Sequence, residues 1–288
     1  MNDKHKIEQE KEIKRMEMEM LLDDVVFDSS QDVERPIPAL SIGVESYNGN
    51  EYEIPFGTYG NFSFVQGPPK TKKSFFMSLL MATYLKDNIA GMSGDIRGHR
   101  ENDKHAIHFD TEQGAWHANR VFRRPMNMGT GEPINYHTIA LRKLSFKDRI
   151  DFIEYYLYDK LEGENIGLVV IDGIADLASD VNNIEESNYV VQKLMTWTSE
   201  LNCHIITVIH SNFGSDKATG HLGSALYKKC ETAVNLKANT ANHGQVTVEC
   251  KMSRNSTFET FDFIVNEKGL PKVQGAVYDI LKDYKQPF

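Results

Sequence analysis

The sequence predicts an α/β protein whose main sheet is mostly parallel. Strand-like and helix-like segments alternate from residue 61 onward, which is the pattern of repeated strand–helix–strand units. Residues 167–172 and 204–210 are continuous apolar runs, as expected of central strands that are covered by helices on both faces. Residues 74–86 are apolar nearly all round and therefore predict a buried helix.

The remaining elements are predicted in chain order from the same patterns. Residues 146–161 are amphipathic, and residues 185–201 place Leu194 and Trp197 on one side, so both segments predict helices. Residues 91–104 are polar and rich in glycine, which predicts a loop. The predicted strands are 62–66, 106–110, 167–172, 204–210, 232–237, 245–250 and 258–265, with the last two as an antiparallel pair.

The length of 288 residues suits one large domain with an appendage, because single hydrophobic cores stop growing near this size. Hydrophobic residues make up 40% of the chain, which is enough for such a core. The predicted parts are an N-terminal charged helical arm at 1–30, a linker with a short β segment at 31–60, the core at 61–270 and a C-terminal tail at 271–288. The arm is either solvated or a linker helix that docks on a neighbouring subunit.

Charge and cysteine content limit the possible functions. The 32 basic and 41 acidic residues give a net charge of −9, so nucleic acid must bind through a local basic loop or a channel in an oligomer. No apolar run is long enough to cross a bilayer, and the charged N-terminus lacks the apolar region of a secretory signal. The absence of such a run predicts no membrane partner. The 3 cysteines lie far apart without CxxC spacing, which predicts reduced thiols in the cytoplasm.

Residues 67–74 read Gly-Pro-Pro-Lys-Thr-Lys-Lys-Ser between a predicted strand and a predicted helix, which is the context of a phosphate-binding P-loop. Backbone N–H groups of such a loop and of the following helix cradle phosphate oxygens. Lys73 is expected to reach the β- and γ-phosphates of ATP, and the Ser74 hydroxyl is expected to hold Mg²⁺. The predicted nucleotide-binding residues are Gly67, Pro68, Pro69, Lys70, Thr71, Lys72, Lys73, Ser74 and Phe75.

Lys72 departs from the usual P-loop pattern, which has a glycine at this position. Glycine allows backbone conformations that a side chain resists, so Lys72 predicts either a strained backbone or an altered loop. The alternative interpretation of residues 67–74 is a basic turn before a buried helix, with no phosphate to bind.

Acidic residues end two of the predicted strands. Asp172 follows an apolar run in the Walker B pattern, and it is expected to hold Mg²⁺ from a strand end beside the P-loop. Asp110 and Glu112 follow the strand at 106–110, immediately before a helix. For these two carboxylates the alternative role is a favourable charge at a helix N-terminus, which contributes about 0.3–1 kcal/mol.

These motifs, in this order, resemble the RecA-like P-loop NTPase core of hexameric replicative helicases. The resemblance is closest to the single-domain RepA-type, DnaB-like helicases of plasmids and mobile elements, and it covers residues 40–270. It implies a twisted, mostly parallel sheet flanked by helices, antiparallel C-terminal strands and an ATPase that acts on single-stranded DNA. The segments that carry it are 60–76, 108–113, 168–173, 207–212 and 220–229.

The resemblance also implies catalytic roles for Lys73 and three other residues. Glu112 is expected to activate the attacking water, because RecA-like ATPases carry this carboxylate at the corresponding strand end. The alternative position for it, directly after Asp172, is occupied here by Gly173. His210 is expected to sense the γ-phosphate. Arg254 is expected to reach into the site of a neighbouring subunit, which makes the protein a homo-oligomer and most simply a hexameric ring.

Further contacts are implied outside the catalytic residues. The loop 211–224 is expected to face the channel of the ring and to contact DNA through Lys217 and His221, while a primase or an initiator protein is expected to be a separate partner. The structural alternatives are a core histidine for His210, a charged hairpin turn for Arg254 and a surface loop without a ligand for 211–224.

Two other functions remain open on the sequence alone. One is a RecA-like filament that pairs DNA, and the other is an ATP-gated binding module that switches a replication or mobilisation partner with little turnover.

A basic group of three arginines, Arg120, Arg123 and Arg124, suits a subunit contact, a DNA contact or a solvated helix face, and the last is favoured. Trp116 is one of several aromatic residues able to stack on bases, although core packing is the commoner use.

Overall fold

The computed structural model describes residues 2–274 apart from residues 34, 88, 90, 102, 103, 132, 134, 213, 214, 216, 240, 241 and 243. The chain divides into two units, Met1–Arg35 and Pro36–Phe288. The first unit contains α1 (Asn2–Met20) and α2 (Leu22–Val25), in the segment where the charged helical arm is predicted. Most of the predicted tail, from residue 275 onward, lies outside the described residues.

The second unit alternates strands and helices along most of its length. Its strands are β1 (Pro38–Tyr47), β2 (Asn50–Thr58), β3 (Phe62–Gly67), β4 (Ile96–Gly98), β5 (His105–Asp110), β6 (Tyr136–Ala140), β7 (Ile166–Asp172), β8 (His204–His210), β9 (Thr232–Ala238), β10 (Gln245–Ser253), β11 (Phe261–Val265) and β12 (Pro271–Val273). Its α-helices are α3 (Lys73–Lys86), α4 (Ala115–Pro125), α5 (Phe146–Glu154), α6 (Ile184–Leu201) and α7 (Gly220–Lys229). Short π- or 3₁₀-helical turns span Met126–Thr130, Tyr155–Lys160 and Ile174–Leu177.

The main sheet has nine strands within the described residues, in the order β12-β11-β10-β9-β3-β8-β7-β5-β6. The strands from β9 to β6 are parallel, whereas β10, β11 and β12 continue the sheet as antiparallel strands. Helix α3 packs on one face through Phe76 and Leu80, and α6 and α7 pack on the other through Trp197 and Leu226. The predicted α/β class with a mostly parallel, helix-flanked sheet and antiparallel C-terminal strands is confirmed at this level.

A second, smaller sheet occupies the region where a linker and a short β segment are predicted. Strands β1 and β2 pair antiparallel, and β4, from the segment predicted as a loop at 91–104, completes the order β2-β1-β4. Leu40 and Phe56 are fully buried in the same cluster as α3. Gly43 has a φ of +74° where the β1–β2 register is irregular. Glycine in this segment is one reason to predict a linker, but Gly43 lies within a strand and bends it.

No described helix is both long and apolar enough to span a lipid bilayer.

His108 is a buried histidine on β5 whose titration makes the stability of the fold depend on pH. It is fully buried and lies edge-on to Phe122 at 5.2 Å between ring centroids. Burial, together with the nearby charge of Arg124, lowers the pKa of His108 to about 3. The folded protein therefore keeps this ring neutral under mildly acidic conditions in which an unfolded chain protonates it.

We expect the stability of the wild type to fall faster than that of His108→Phe as the pH falls below 6.5. The unfolded wild type then binds one more proton than the folded wild type. Its free energy of unfolding should therefore fall by about 1.4 kcal/mol more per pH unit than that of His108→Phe. Urea denaturation between pH 6.5 and 4.5 measures this slope. The same substitution at exposed His5 is the control, and identical slopes for wild type and His108→Phe would contradict the prediction.

Candidate active site

The predicted P-loop lies at the carboxyl edge of the parallel strands. Strand β3 ends at Gly67 between β8 and β9, and α3 begins at Lys73. A side chain at Gly67 would meet the Leu236 carbonyl and the Thr71 hydroxyl at 2.8 Å, so this turn requires glycine. The Thr71 hydroxyl donates to the Pro68 carbonyl at 2.8 Å and closes the loop. The strand, loop and helix expected around residues 67–74 are therefore present.

Lys73 folds back across this loop. Its Nζ atom donates to the carbonyls of Gly67 at 2.9 Å and Pro68 at 3.0 Å, and it lies 3.0 Å from Nδ1 of His210, the last residue of β8. The residue is only 7% exposed, and burial lowers its pKa to about 8. An anionic ligand in the loop would stabilise the charged form of this ammonium group.

Ser74, on the helix that follows β3, contacts Asp172 at the end of β7, although these two strands are not neighbours in the sheet. Strand β8 separates β3 from β7, yet the Ser74 hydroxyl donates to Oδ2 of Asp172 at 2.6 Å. Burial raises the pKa of Asp172 to about 7, and the hydrogen bond from Ser74 opposes this rise.

This pair fits the predicted Mg²⁺ site by its donor chemistry. A hydroxyl and a carboxylate are oxygen ligands of the kind that Mg²⁺ takes, and substrate phosphates and water usually complete the coordination. Among the described residues, no larger group of histidine, cysteine, aspartate or glutamate side chains is arranged to hold a metal ion. If Mg²⁺ binds as predicted, Ser74 and Asp172 are the residues that would hold it.

His210 connects Lys73 to Glu112. Its Nε2 atom lies 3.5 Å from Oε1 of Glu112, while its Nδ1 atom faces the Lys73 ammonium. Since Lys73 can only donate, this arrangement assigns the ring proton to Nε2, where it points toward the carboxylate. The contact with His210 holds the pKa of Glu112 below its usual range. The structure thus brings together three of the four predicted catalytic residues.

Asp110 shapes the turn from which Glu112 projects. Its Oδ1 atom accepts hydrogen bonds from the backbone N–H groups of Glu112 at 3.1 Å and Gln113 at 2.7 Å. Burial raises the pKa of Asp110, although these two N–H groups favour its charged form. The position of Asp110 indicates a role in holding the strand end, while the Glu112 side chain remains 45% exposed and accessible to water.

The residue after Asp172 has to be glycine in this structure. Gly173 has a φ of +107°, and a Cβ atom there would lie 2.2 Å from the Thr111 hydroxyl. That hydroxyl lies within 3.0 Å of the Asp172 carbonyl and 2.8 Å from Oδ2 of Asp176. A side chain at position 173 would therefore require this turn to rearrange, whereas Glu112 reaches the same edge of the sheet from the end of β5.

Arg124 was expected to belong to a solvated basic patch, and this expectation is wrong. The residue is 8% exposed, and its Nη1 atom donates to the Ser74 carbonyl at 3.1 Å and the Ser78 hydroxyl at 2.8 Å. Its guanidinium group lies 3.8 Å from the centroid of the Phe75 ring. Arg124 therefore joins α4 to the first turn of α3. The sequence signal for this was the spacing of the apolar residues Val121 and Pro125, which are one helical turn apart beside Arg124 and are buried.

The loop after β8 is tied to His210 through the backbone. Thr219 donates to the His210 carbonyl from its N–H at 3.0 Å and from its hydroxyl at 2.8 Å. Lys217, a predicted DNA contact, accepts a hydrogen bond from the Asn212 N–H at 2.8 Å through its carbonyl. Residues 213, 214 and 216 of the predicted DNA-contacting loop 211–224 lie outside the described residues.

Arg254 lies away from the other predicted catalytic residues of the same chain. Strand β9 is parallel to β3, and the last residue of β10, Ser253, pairs with the first residue of β9, Thr232. Arg254 is therefore at the amino edge of the sheet, opposite the predicted P-loop, where it is exposed and donates to the Lys229 carbonyl at 2.7 Å. Its expected action in a neighbouring subunit stays a prediction.

Comparison with known proteins leaves the site to be interpreted from its own geometry. No protein-family model matches the sequence, and no curated protein is found as a relative.

Lys72 has the backbone strain that its position in the motif predicts. It caps α3 with a φ of +62° and a ψ of +32°, a left-handed conformation that costs a residue with a side chain about 1–2 kcal/mol. Its carbonyl nevertheless accepts the first hydrogen bonds of α3, from Phe75 at 3.0 Å and Phe76 at 3.2 Å. The loop is therefore formed without the usual glycine, but at a cost in stability.

We expect Lys72→Gly to be more stable than Lys72→Ala by about 1 kcal/mol, because only glycine adopts the left-handed conformation without a steric penalty. Both variants lose the same charge, so their difference isolates the backbone effect. Urea denaturation monitored by circular dichroism measures it. An alanine variant as stable as the glycine variant would show that the residue is not strained.

Proposed function

We propose that this chain is an ATP-hydrolysing motor with a RecA-like core that acts on single-stranded DNA as a homo-oligomer, most simply a hexameric ring. Its proposed role is that of a replicative helicase of a plasmid, phage or mobile element, working beside a separate primase or initiator. The observation that carries the proposal is the convergence of Lys73, His210 and Glu112 with the Ser74–Asp172 pair at one edge of the sheet.

Nucleotide binding follows from the chemistry of the loop. The N-terminus of α3 presents free N–H groups and the positive end of its dipole, both of which favour phosphate. Lys73 would exchange its contact with His210 for a phosphate oxygen, which suits a partly buried ammonium group better than a neutral ring. When held by Ser74 and Asp172, Mg²⁺ would neutralise charge on the phosphates.

Hydrolysis requires a base that is ionised at neutral pH and can reach water. Glu112 suits this role because its contact with His210 lowers its pKa while nearly half of its side chain remains exposed. The turn held by Asp110 fixes the carboxylate relative to β5. A general base in such a position typically contributes a factor of about 10²–10⁴ to the rate.

His210 offers a route from the phosphate site to the predicted DNA loop. One ring nitrogen faces Lys73, the other faces Glu112, and the carbonyl of the same residue holds Thr219. When Lys73 moves to a phosphate, His210 loses one of these contacts, and the change reaches the loop that carries Lys217. This coupling is the proposed link between ATP hydrolysis and movement along DNA.

The second candidate function is an ATP-gated binding module with little turnover. The left-handed backbone of Lys72 favours it, because strain in a ligand-binding loop can support two conformations that the ligand switches. Such a module would bind ATP and a protein partner, and DNA would not increase its low rate of ATP hydrolysis.

We expect DNA-stimulated ATP hydrolysis that is lost in Lys73→Ala and reduced by about 10²–10⁴ in Glu112→Gln. Lys73→Ala removes the phosphate-binding cation, whereas Glu112→Gln keeps the shape of the side chain and should still bind ATP. Phosphate release with and without a single-stranded oligonucleotide measures turnover, and calorimetry measures ATP binding.

The matched control is Glu162→Gln, which makes the same change at an exposed glutamate away from the site. Full turnover in Glu112→Gln would overturn the assigned base. ATP binding with no turnover on any DNA would overturn the motor and favour the switch module.

A further inference from the structure

Helix α4 presents an aromatic and basic face to solvent beside the candidate active site. Its inner side is buried through Ala118, Val121 and Phe122, whereas Trp116 is 63% exposed. Tryptophan is mostly buried in folded proteins, so one that is exposed on a rigid helix marks a candidate contact surface.

The Trp116 ring is held by its neighbours. The guanidinium group of Arg120, one turn further along α4, lies 4.8 Å from the centroid of the Trp116 ring. The ring of His117 lies edge-on to Trp116 at 4.8 Å between centroids. The indole is thus oriented while most of its surface remains available, which lowers the entropic cost of stacking a planar group on it.

Exposed cations lie on the same helix and near its start. Arg120, Arg123 and Arg142 are exposed, and none of the three has an acidic partner within 4.0 Å among the residues that the structure describes. The Arg142 guanidinium approaches the residue before α4: its Nη1 atom lies 3.3 Å from the position that a Cβ atom would take at Gly114. In a chain with a net charge of −9, such a group of unneutralised cations attracts an anionic ligand locally.

We propose that this α4 face, formed by Trp116, Arg120, Arg123 and Arg142, binds single-stranded nucleic acid by stacking a base on the indole and placing phosphates against the arginines. A single strand fits the surface better than a duplex, whose bases are already stacked on one another and unavailable to an aromatic side chain. An acidic protein segment would match the charge but has no need of the oriented indole.

The position of α4 would couple this ligand to hydrolysis, and this consequence rests on the proposed function. The helix begins at Ala115, close after Glu112, and its inner side is anchored to α3 through Arg124 and the Ser74 carbonyl. A strand bound on the outer side would therefore restrain the helix that links the proposed base to the proposed Mg²⁺ ligand. The surface is additional to the loop 211–224.

Tryptophan fluorescence tests the proposal directly, because the chain has 2 tryptophans and the other one, Trp197, is 1% exposed. We expect an oligo-dT strand to quench the emission of the full chain, and the quenching to disappear in Trp116→Phe. The anisotropy of a labelled oligo-dT strand should show binding weakened about tenfold in Trp116→Ala, as expected for the loss of one base stack. These measurements need no ATP turnover.

The arginines are tested through salt dependence. Arg123→Ala should weaken binding and reduce the slope of log affinity against log salt by about 0.7, the value for one phosphate contact on a single strand. The matched control is Lys268→Ala, which removes an exposed cation from the turn between β11 and β12 and should change neither quantity. Circular dichroism verifies that each variant is folded.

Several outcomes would overturn the proposal. Unchanged affinity in both Trp116→Ala and Arg123→Ala would show that the strand binds elsewhere. Quenching of Trp116 by Mg·ATP alone would assign the indole to the nucleotide base, and an emission shift on raising the protein concentration alone would assign it to a second copy of the chain. If oligo-dT quenches Trp116 but ATP is never hydrolysed, the motor fails while the binding surface stands.

Discussion

The buried carboxylate of Asp172 is the constraint on which the rest of the carboxyl edge depends. A carboxylate is costly to bury unless hydrogen bonds or opposite charges compensate it, and the raised pKa of Asp172 reflects that cost. The Ser74 hydroxyl supplies one bond and ties the first turn of α3 to β7 across the intervening strand. Thr111 packs against the same strand end and leaves room only for glycine at position 173. Helix α3 and the turn that carries Glu112 are thus both positioned by one strand end.

Charge at this edge is balanced through a chain of contacts. Lys73 is a buried cation that is stabilised by the negative charges of Glu112 and Asp172, and His210 lies between it and Glu112. Any anion that enters the loop competes with these partners for the same ammonium group. A phosphate bound as proposed would therefore affect two places: Glu112, which would lose an indirect contact with Lys73, and the loop held by the His210 carbonyl.

Sequence patterns predicted the parts of the structure that consecutive residues determine. The strand before Gly67, the helix after Lys73 and the acidic end of β7 follow from local apolar runs and motif chemistry. The small sheet was predicted only as a short β segment, because the prolines and glycines of residues 31–60 suggested a linker. Its pairing with β4 joins segments that are distant in sequence. The burial of Arg124 was missed because a charged side chain was assigned to solvent, although its acceptors lie on another helix.

The separation of Arg254 from the predicted P-loop, residues 67–74, limits how subunits can associate if this arginine acts in a neighbour. The two features lie on opposite edges of one sheet, so an interface that brings them together joins different surfaces of the two subunits. Such a head-to-tail contact is heterologous, and it generates a closed ring or an open filament rather than a two-fold dimer. The ring and the filament can therefore use the same pair of surfaces, and they differ in the rotation between successive subunits.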